Sequence, residues 1–375
     1  MNLTHLVPSL EARHGGPSTS VPSLAGACAQ LGHNVTLLAT LPGPGINRKS
    51  AGRFTTTTFP RDWPEFVCPS ASLRAALLES DTDVVHHHSL WLRTLHYAHL
   101  AAKKQRARFI ISPRGMMSQW AWNHHRARKQ LASALIHPGA FAAADGWHAT
   151  SAEEADDIRR LGFTQPVCVA PNGVRLPATE NQLAAGAVWR KHCPQIGSRP
   201  VALFFSRFHR KKRLRELFHL WLAAPRGDWL LLLVGVPEEY SVAEIQHWIK
   251  AAGAQDRVAV FDGQDLPPPY AVASLFLLPS HSENFALVIA EAMASGVPAL
   301  VTDTTPWKAV NMDDRGWCVP WADFHQTLQI AMAESPAQLV ERGQRARSWV
   351  LREFSWEKSA QELIAFYQRL PENPS

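Results

Sequence analysis

Short apolar segments alternate with segments of helical periodicity along nearly the whole chain. Helical patterns such as VPSLAGACAQLG and RLRELFHLWLAA lie between the apolar segments. The apolar segments are, in order, LTHLVPS, HNVTLLAT, DVVHHHS, RFIISPRG, PVALFFSR, WLLLLVG, RVAVFDG, LFLLPS and PALVTD. Strands that are separated by helices form parallel sheets with crossover connections. The alternation therefore predicts an α/β protein.

The length of the chain calls for more than one hydrophobic core. A chain of 375 residues is longer than one core of ordinary size accommodates. The segment APNGVRLPATEN, residues 170–181, is rich in Pro, Gly and Asn and predicts a boundary between two α/β halves. Ligands of open parallel sheets bind at the carboxyl ends of the strands. Two such sheets that face each other would form a cleft, which is where we expect substrates.

Composition excludes several classes of protein. No run of eighteen apolar residues is present, so the sequence predicts no membrane-spanning helix. The start, MNLTHLVPSLEARHGG, has neither a basic leader nor a long apolar region, and we expect no secretory signal. The five cysteines include no CxxC pair and indicate reduced thiols. A cytoplasmic location is the resulting expectation.

The net charge of +6 is unevenly distributed. Residues 1–170 hold 17 Lys or Arg and 11 Asp or Glu, which leaves 21 of each for residues 171–375. A basic half indicates an anionic partner such as phosphates, nucleic acid or an anionic membrane face, or else an ordinary solvated surface. No nucleic-acid recognition motif is present, so nucleic acid is not an expected partner.

Two glutamates lie in an otherwise apolar, small-residue segment, HSENFALVIAEAMASGVP. The pattern predicts a helix that begins near Asn284 or Phe285, which would put Glu283 at the helix N-terminus. Backbone N–H groups and the helix dipole favour anions or hydroxyl-bearing ligands there. Glu291 follows about 12 Å further along a helix. The two carboxylates could bind the two ends of a nucleotide-sugar, or they could be an N-capping and an exposed helical glutamate.

A basic segment, FFSRFHRKKRLREL, begins at the end of the predicted strand PVALFFSR, earlier in the chain than the two glutamates. Arg207 stands just after the apolar residues, and Lys212 lies five positions later. Arginine offers a planar fork of donors and lysine a point charge, and both suit phosphate oxygens. The pair could neutralise the charge that develops on a departing nucleoside diphosphate, or the segment could be a solvated basic loop.

Gly15 and Gly16 precede the first predicted helix in HGGPSTS. Adjacent glycines at a helix start allow a ligand to approach the backbone closely. The segment is not GxGxxG, and no acidic residue follows about twenty positions later as in dinucleotide-binding folds. An NAD-dependent enzyme is therefore disfavoured.

Together these motifs resemble those of family-4 glycosyltransferases of the GT-B fold. The segments that carry the resemblance are HGGPSTSVPSLAGACAQLGHNVTLLAT, DVVHHHSLW, SPRGMMSQWAW, WHATSAEEADDIRRLG, VAPNGV, SRFHRKK and HSENFALVIAEAMASGVP. SPRGM and its following Trp are similar to a bacterial subgroup linked to surface polysaccharide assembly. The resemblance implies two Rossmann-like domains that face each other across a cleft. Residues 1–175 would be the acceptor-side domain, completed by a C-terminal helix at 356–375, and residues 176–355 would bind the nucleotide-sugar.

The resemblance also implies roles for individual residues. Arg207 and Lys212 would bind the donor diphosphate, Glu283 the donor sugar and Glu291 the ribose hydroxyls, with the first three as catalytic residues. The other donor-side positions are Gly16 near the phosphates, Gly263 and Gln264 at the base, and Asn284, Phe285, Ala286 and Leu287 around the sugar. The family retains the anomeric configuration. Same-face substitution assisted by the leaving diphosphate is favoured over a covalent intermediate on Glu283.

Three positions depart from the family pattern. Ala286 and Arg213 stand where relatives usually have glycine, and Arg114 occupies the place of a histidine in SPRGM. An arginine cannot act as a base at neutral pH. Arg114 would therefore contact phosphate or acceptor, or else be held structurally by a helix C-terminus.

A triple histidine ends the predicted strand DVVHHHS. Strand alternation sends His86 and His88 to one side and His87 to the other. A metal site would need convergent ligands, and the sequence shows no partner cluster for them. We expect His88 to hydrogen-bond the acceptor, with Gly15 and Arg114 on the same side of the reaction.

A DxD sequence, Asp81-Thr82-Asp83, resembles the metal motif of other glycosyltransferases. It precedes a strand, where aspartate turns are common, whereas ligands gather after strands. Arg207 and Lys212 would supply the neutralisation that a metal ion gives elsewhere. Transfer without a metal or other cofactor is the prediction.

The resemblance thus implies a retaining hexosyltransferase. A UDP-sugar donor is favoured over GDP-mannose, and the acceptor would be a glycan or a lipid-linked glycan in surface polysaccharide or lipopolysaccharide biosynthesis. A GT-B nucleotide-sugar epimerase or hydrolase and a non-catalytic glycan-binding scaffold are the alternatives. Contact with an anionic membrane surface would make the protein peripheral at the inner face of the membrane. Trp307, in TTPW, could stack on a sugar or pack in the core.

Overall fold

Two compact units make up the chain. The computed structural model describes residues 1–11, 16–123, 126–224 and 227–371, without the side chains of 126–128 and 130. Unit 1 consists of Met1–Gly173 and Phe354–Ser375, and unit 2 of Val174–Glu353. Each unit is built on its own predominantly or wholly parallel sheet, so the predicted two-sheet α/β fold is confirmed.

Unit 1 has an eight-stranded sheet. Its strands are β1 (Asn2–Ser9), β2 (Asn34–Leu41), β3 (Asn47–Ala51), β4 (Phe54–Pro60), β5 (Val84–His88), β6 (Arg108–Ser112), β7 (Gly146–Ala149) and β8 (Val167–Val169). Their spatial order is β3-β4-β2-β1-β5-β6-β7-β8, and only the edge pair β3–β4 is antiparallel. The order reverses between β1 and β5, and these central strands are almost entirely buried. That reversal is where the loops of an open α/β sheet leave room for ligands.

Helices cover both faces of this sheet. Along the chain they are α1 (Pro17–Gln30), α2 (Ala71–Leu78), α3 (Arg93–Gln105), α4 (Gln119–Asn123), α5 (Arg126–Leu135) and α6 (Ala152–Arg160). Helix α1 buries Val21, Leu24 and Cys28, which recur at helical spacing. Its end is followed by Gly32 at φ +91°, the left-handed conformation that favours glycine after a helix.

Unit 2 has a six-stranded sheet that is wholly parallel. Its strands are β9 (Val201–Phe205), β10 (Leu230–Gly235), β11 (Val258–Asp262), β12 (Leu275–Leu278), β13 (Ala299–Thr302) and β14 (Trp317–Val319), in the spatial order β11-β10-β9-β12-β13-β14. Its helices are α7 (Thr179–His192), α8 (Leu214–Ala223), α9 (Val242–Ala251), α10 (Leu287–Ala294), α11 (Phe324–Ala333) and α12 (Pro336–Glu353). Every residue of β10 is buried, as expected for a parallel strand that is covered on both faces. The strand order reverses between β9 and β12.

The last helix, α13 (Trp356–Arg369), belongs to unit 1. Its buried face, which includes Leu363 and Tyr367, shares one core cluster with residues of α1 such as Leu24. A Cβ on Gly173 would lie 2.3 Å from the backbone nitrogen of Trp356, so only glycine fits there. Among the described residues, no helix combines the length and apolar character that crossing a bilayer requires.

Candidate active site

The chemistry-bearing residues of unit 2 come from loops at the point where its strand order reverses. Arg207 and Lys212 follow β9, and Glu283 follows β12. These two strands are hydrogen-bonded neighbours. Because parallel strands end at the same edge of a sheet, residues more than seventy positions apart are brought together there.

The loop after β9 is a short 3-10 turn, Arg210–Lys212. The ring of His209 accepts a hydrogen bond from the Lys211 N–H at 2.9 Å, which fixes the start of the turn. Arg213 ends it in the left-handed conformation at φ +52°. This is the position at which the sequence departs from the family's glycine, so the backbone keeps a glycine-like conformation without glycine. Lys212 is thereby turned inward and is only 7% exposed.

Lys212 forms a buried ion pair with Glu283. The Ser280 hydroxyl donates a second hydrogen bond to the same carboxylate oxygen. Burial by itself would raise the pKa of Glu283, but Lys212, Lys211 and the two hydrogen bonds outweigh it and lower that pKa. The carboxylate is therefore ionised at neutral pH and serves as the counter-ion that makes burial of Lys212 tolerable.

Arg207 is paired as well, although its pair is half-exposed. Its guanidinium donates to the Glu238 carboxylate at 2.9 Å, and Glu238 lies in the loop after β10. The neighbouring Glu239 accepts from Arg210, through its backbone N–H at 2.9 Å and its side chain at 3.0 Å. Each of the two cations predicted to bind a diphosphate therefore faces a carboxylate of the chain itself.

The helix of the glutamate segment begins later than predicted. The prediction of a start at Asn284 or Phe285 is wrong, because α10 begins at Leu287. Ala286 has φ +60° and ψ +67°, and this left-handed residue interrupts the helical path. Glu283 consequently lies four residues before the first helical residue. Contacts with Lys212 and Ser280, rather than the helix N-terminus, hold its carboxylate.

Trp307 resolves one alternative that the sequence left open. It is fully buried, and its indole N–H donates to the carbonyl oxygen of Phe285. Its ring packs against those of Phe285 and Trp349. Trp307 is thus a core residue that supports the backbone just before Ala286. Of the two alternatives, packing in the core is confirmed, and stacking of Trp307 on a sugar is contradicted.

Glu291 lies within α10 and faces the protein. The Tyr270 hydroxyl donates to its carboxylate at 2.8 Å. Burial raises the pKa of Glu291, and the hydrogen bond from Tyr270 opposes that rise. Tyr270 itself packs edge-on against Phe205 at the end of β9. The two glutamates of the segment therefore differ in electrostatic environment, since Glu283 has cationic neighbours and Glu291 a neutral hydroxyl.

Gly263 and Gln264 follow β11 at the same edge of the sheet. A Cβ on Gly263 would come within 2.9 Å of a Val234 methyl carbon, so a side chain there would displace β10 residues. The Gln264 N–H donates to Asp262 at 3.0 Å, which fixes the turn after the strand. The segment is followed by a 3-10 turn, Pro269–Val272, that carries Tyr270.

Of the predicted glycine pair in unit 1, Gly15 lies outside the described residues. Gly16 immediately precedes α1 and accepts the first helical hydrogen bond from the Ser20 N–H at 2.9 Å. Its φ of −46° is open to any residue, and a Cβ there would meet nothing within 4 Å. The conformation of Gly16 therefore does not itself require glycine, and its contact with phosphates stays a prediction.

His88 and Arg114 are joined in one hydrogen-bonded chain. Arg114 donates to Asn172 at 2.9 Å and to Nδ1 of His88 at 3.0 Å. Because a guanidinium only donates, His88 must carry its proton on Nε2 and donate it to Nδ1 of His5, 3.0 Å away. Arg114 is thus held by a histidine and an asparagine rather than by a helix C-terminus. His88 is fully buried, so a direct bond from it to an acceptor stays an untested prediction.

The histidines converge more closely than the sequence indicated. Ring nitrogens of His5, His86 and His88 lie within 4.8 Å of one another, so the expectation that no partner cluster exists is wrong. Burial, reinforced by Arg114, lowers the pKa of His5 to about 3. The His86 nitrogens contact the Tyr367 hydroxyl at 2.6 Å and the Ser112 hydroxyl at 3.1 Å. Nδ1 of His88 accepts from Arg114 and Nε2 carries the proton. Neither nitrogen of His88 therefore has a free lone pair for a metal ion in this tautomer, and we assign a neutral hydrogen-bond network.

Several residues of these arrangements could not be singled out in the sequence. Ser280, Tyr270 and Glu238 each bond to a predicted donor-side residue, and Ser280 does so from the same loop as its partner Glu283. His5 carried one signal, because a histidine interrupts the apolar strand LTHLVPS. The partners of Tyr270 and Glu238 lie 21 and 31 positions away, so no local pattern marks these two residues. Ser280 is only three positions from Glu283, but the sequence analysis did not single it out.

Comparisons with known proteins give consistent results for the two units. Residues 14–176 match the profile described as Glycosyltransferase Family 4, and residues 189–349 match that described as Glycosyl transferases group 1. The chain is 29% identical over 241 residues to D-inositol 3-phosphate glycosyltransferase of Xylanimonas cellulosilytica, an alignment that covers 60% of this chain but 57% of the relative. It is 25% identical to alpha-maltose-1-phosphate synthase of Mycolicibacterium smegmatis, with 83% and 89% of the two chains aligned.

A solved structure agrees at the level of the fold. Anabaena HepE, determined in complex with UDP and glucose, superposes with a TM-score of 0.76 at 15% identity, and the match covers 99% of this chain and 100% of that one. An identity this low supports the shared architecture only.

Proposed function

We propose, from the premise that this chain belongs to glycosyltransferase family 4 and has the GT-B fold, that it transfers a sugar from a nucleoside-diphosphate donor with retention of configuration. The acceptor would be a glycan or a lipid-linked glycan of the kind used in surface polysaccharide or lipopolysaccharide assembly. The observation that carries the proposal is the buried Lys212–Glu283 pair at the strand reversal of unit 2.

The geometry suits a donor that has an anionic centre and two hydroxyl-bearing ends. Lys212 and Arg207 are the cations for the diphosphate, and Glu283 lies beside Lys212 for the sugar hydroxyls. Glu291 lies in the helix that follows, where the Tyr270 hydroxyl donates to its carboxylate, and this carboxylate would accept from the ribose hydroxyls. Backbone groups of residues 284–287 would line the sugar pocket, with Gly263 and Gln264 near the base.

UDP-sugars are the proposed donors, ahead of GDP-mannose. The structural neighbour binds UDP and glucose, which supports this order without assigning the sugar. In the transfer, the bond between the anomeric carbon and the diphosphate oxygen breaks, and the acceptor oxygen bonds to the same face. The acceptor proton passes to the leaving diphosphate, whose negative charge Arg207 and Lys212 stabilise. The protein would mainly position the reactants, and no metal ion would be needed.

Binding of nucleotides tests the proposal directly. We expect UDP or a UDP-sugar to raise the melting temperature of the full chain, because a ligand at a hundredfold excess over its Kd adds about 2.7 kcal/mol of stability. Glu291→Ala should reduce the shift, and the matched control Glu341→Ala, at an exposed position of the same unit, should not. GDP and ADP serve as alternative bases.

Other outcomes would favour the alternatives. A shift followed by release of free sugar or of an epimer, without any acceptor, would indicate a hydrolase or epimerase on the same fold. If no nucleotide raised the melting temperature, a working donor site would be contradicted. The glycan-binding scaffold would then be the better-supported hypothesis.

A further inference from the structure

Two aromatic side chains on one loop of unit 1 project into solvent. The loop joins β4 to α2, and its Trp63 and Phe66 are 89% and 80% exposed, more than any other large apolar residue in the described part of the chain. Large apolar side chains this exposed lose the stabilisation that burial would give them. Trp in particular is favoured at boundaries where its ring contacts an apolar phase and its N–H contacts water.

The loop is held in shape although its tip is exposed. The Asp62 N–H donates to Pro69 O at 2.9 Å, which closes the loop at its base. The Asp62 carboxylate accepts from the Ala71 N–H at 2.7 Å, which fastens the loop to the start of α2. Arg61 forms an ion pair with Glu11 at 2.7 Å. The aromatic residues are therefore presented by an anchored segment.

A second exposed apolar pair lies on the same part of unit 1. Leu131 and Leu135, four residues apart on α5, are 60% and 66% exposed, and this spacing puts them on one helix face. Arg93 donates to the carbonyl oxygens of Leu135, at 3.4 Å, and Ile136, at 2.9 Å. Arg93 and Asp62 line the same cavity of about 340 Å³. Arg93 therefore connects the end of α5 with the cavity at the base of the aromatic loop.

The charge of the surrounding chain is strongly one-sided. From Val84 to Ala144 the sequence contains nine Lys or Arg residues and no Asp or Glu. This run includes α3, α4 and α5, so the second apolar pair belongs to a segment without a single carboxylate. The loop itself contains two acidic residues, Asp62 and Glu65, and Asp62 is held by the Ala71 N–H. A positive segment beside exposed aromatic residues favours an anionic lipid surface over a protein partner, since membrane binding combines apolar insertion with attraction to anionic headgroups.

We propose that Trp63, Phe66, Leu131 and Leu135 form a docking surface by which unit 1 seats on a bilayer of anionic phospholipid. The aromatic side chains enter the boundary between headgroups and acyl chains, where Trp is enriched in membrane proteins. The basic run supplies the attraction that depends on salt. The proposal rests on the proposed function only in so far as the acceptor is lipid-linked, and it concerns a surface that contains no donor-side residue.

Vesicle binding by the full chain tests the docking surface. We expect the protein to co-sediment with vesicles that contain phosphatidylglycerol, to bind pure phosphatidylcholine vesicles less, and to bind more weakly at 1 M than at 0.1 M salt, where the Debye length falls from about 10 to 3 Å. Trp63→Ser with Phe66→Ser should lower the partition coefficient by about tenfold or more. The matched control, Met312→Ser with Ile330→Ser, removes two exposed apolar residues of unit 2 and should leave it unchanged.

The outcomes separate this proposal from the proposed function. Retention of the nucleotide-induced thermal shift in both double variants shows that they are folded, and it does not depend on vesicles. Wild-type binding to phosphatidylglycerol vesicles that survives loss of both aromatic residues would overturn the docking surface, as would no binding at all. A change of molar mass in light scattering on loss of Trp63 and Phe66, without any change in vesicle binding, would identify a contact between copies of the chain instead.

Discussion

The Lys212–Glu283 pair offers a stringent test of the site, because both side chains are only 9% exposed. Solvent does little to screen charges that are buried to this extent, so removal of one partner leaves the other uncompensated. In Glu283→Gln the ammonium of Lys212 loses its carboxylate partner, and the amide that replaces the carboxylate is neutral. We expect a loss of about 3–5 kcal/mol in the free energy of unfolding. For a unit the size of unit 2 this corresponds to roughly 6–20 °C in melting temperature.

Removal of both charges should restore most of the lost stability. In Lys212→Met with Glu283→Gln no ion remains buried, and well-packed neutral replacements of a buried pair are often close to neutral in stability. The double variant should therefore lie within about 1 kcal/mol of the wild type, and the double-mutant cycle should give a coupling energy of at least about 2 kcal/mol. Differential scanning calorimetry of the four proteins measures each term.

A control and an acid titration sharpen this result. Glu341→Gln makes the same chemical change in an exposed pair with Arg345 and should cost less than about 0.5 kcal/mol. The pKa of Glu283 is lowered on folding, so its contribution is present above the unfolded pKa and is lost as pH falls through the lower folded pKa. The difference in the free energy of unfolding between wild type and Glu283→Gln should therefore become smaller at acidic pH. Equal losses for the two Glu→Gln variants, or a double variant as unstable as Glu283→Gln, would refute the reasoning.

Two further predictions concern backbone strain and metal use. Ala286→Gly should raise the melting temperature by about 1–3 °C, because relief of the left-handed conformation outweighs the added freedom of the unfolded chain; the control Ala290→Gly, within α10, should lower it, and a loss in both variants would contradict the strain at Ala286. Transfer from the donor identified by thermal shift should continue in EDTA and should not respond to Mg²⁺, whereas activity abolished by EDTA and restored by Mg²⁺ would contradict neutralisation by Arg207 and Lys212.

The fold was predictable where strands are long and apolar. Continuous apolar segments such as WLLLLVG predict buried parallel strands, and β10 is buried along its full length. The sequence did not predict β3, because all five of its residues are exposed and it pairs only with β4 at the sheet edge. β7 and β8 have four and three residues, too few for a periodic pattern. The Thr run of β4 was a signal of strand propensity that apolar periodicity alone does not detect.

The sequence predicted which residues belong to the candidate site, but not which side chains contact each other there. Polar residues directly after apolar strands identified Arg207, Lys212 and Glu283, since parallel topology places such residues at one edge. That Glu283 would pair with Lys212, and not with a helix N-terminus, depends on the left-handed Ala286, and no composition rule anticipates a non-glycine residue in that conformation. The network of His5 and His88 joins β1 to β5, 83 positions apart, and becomes visible only when the strands are placed side by side.

The two cations of the proposed donor site differ in what a diphosphate would have to replace. Arg207 forms a half-exposed pair with Glu238, and exposed pairs contribute little, so Arg207 can exchange its carboxylate for phosphate at small cost. Lys212 was desolvated when the chain folded, and Glu283 already compensates its charge. A donor would therefore not have to dehydrate Lys212. It would bring its own negative charge, which would leave Glu283 able to accept hydrogen bonds from sugar hydroxyls. If the proposed donor site is correct, Arg207 would mainly set the affinity for the donor, whereas Lys212 would mainly set the position of the diphosphate relative to Glu283.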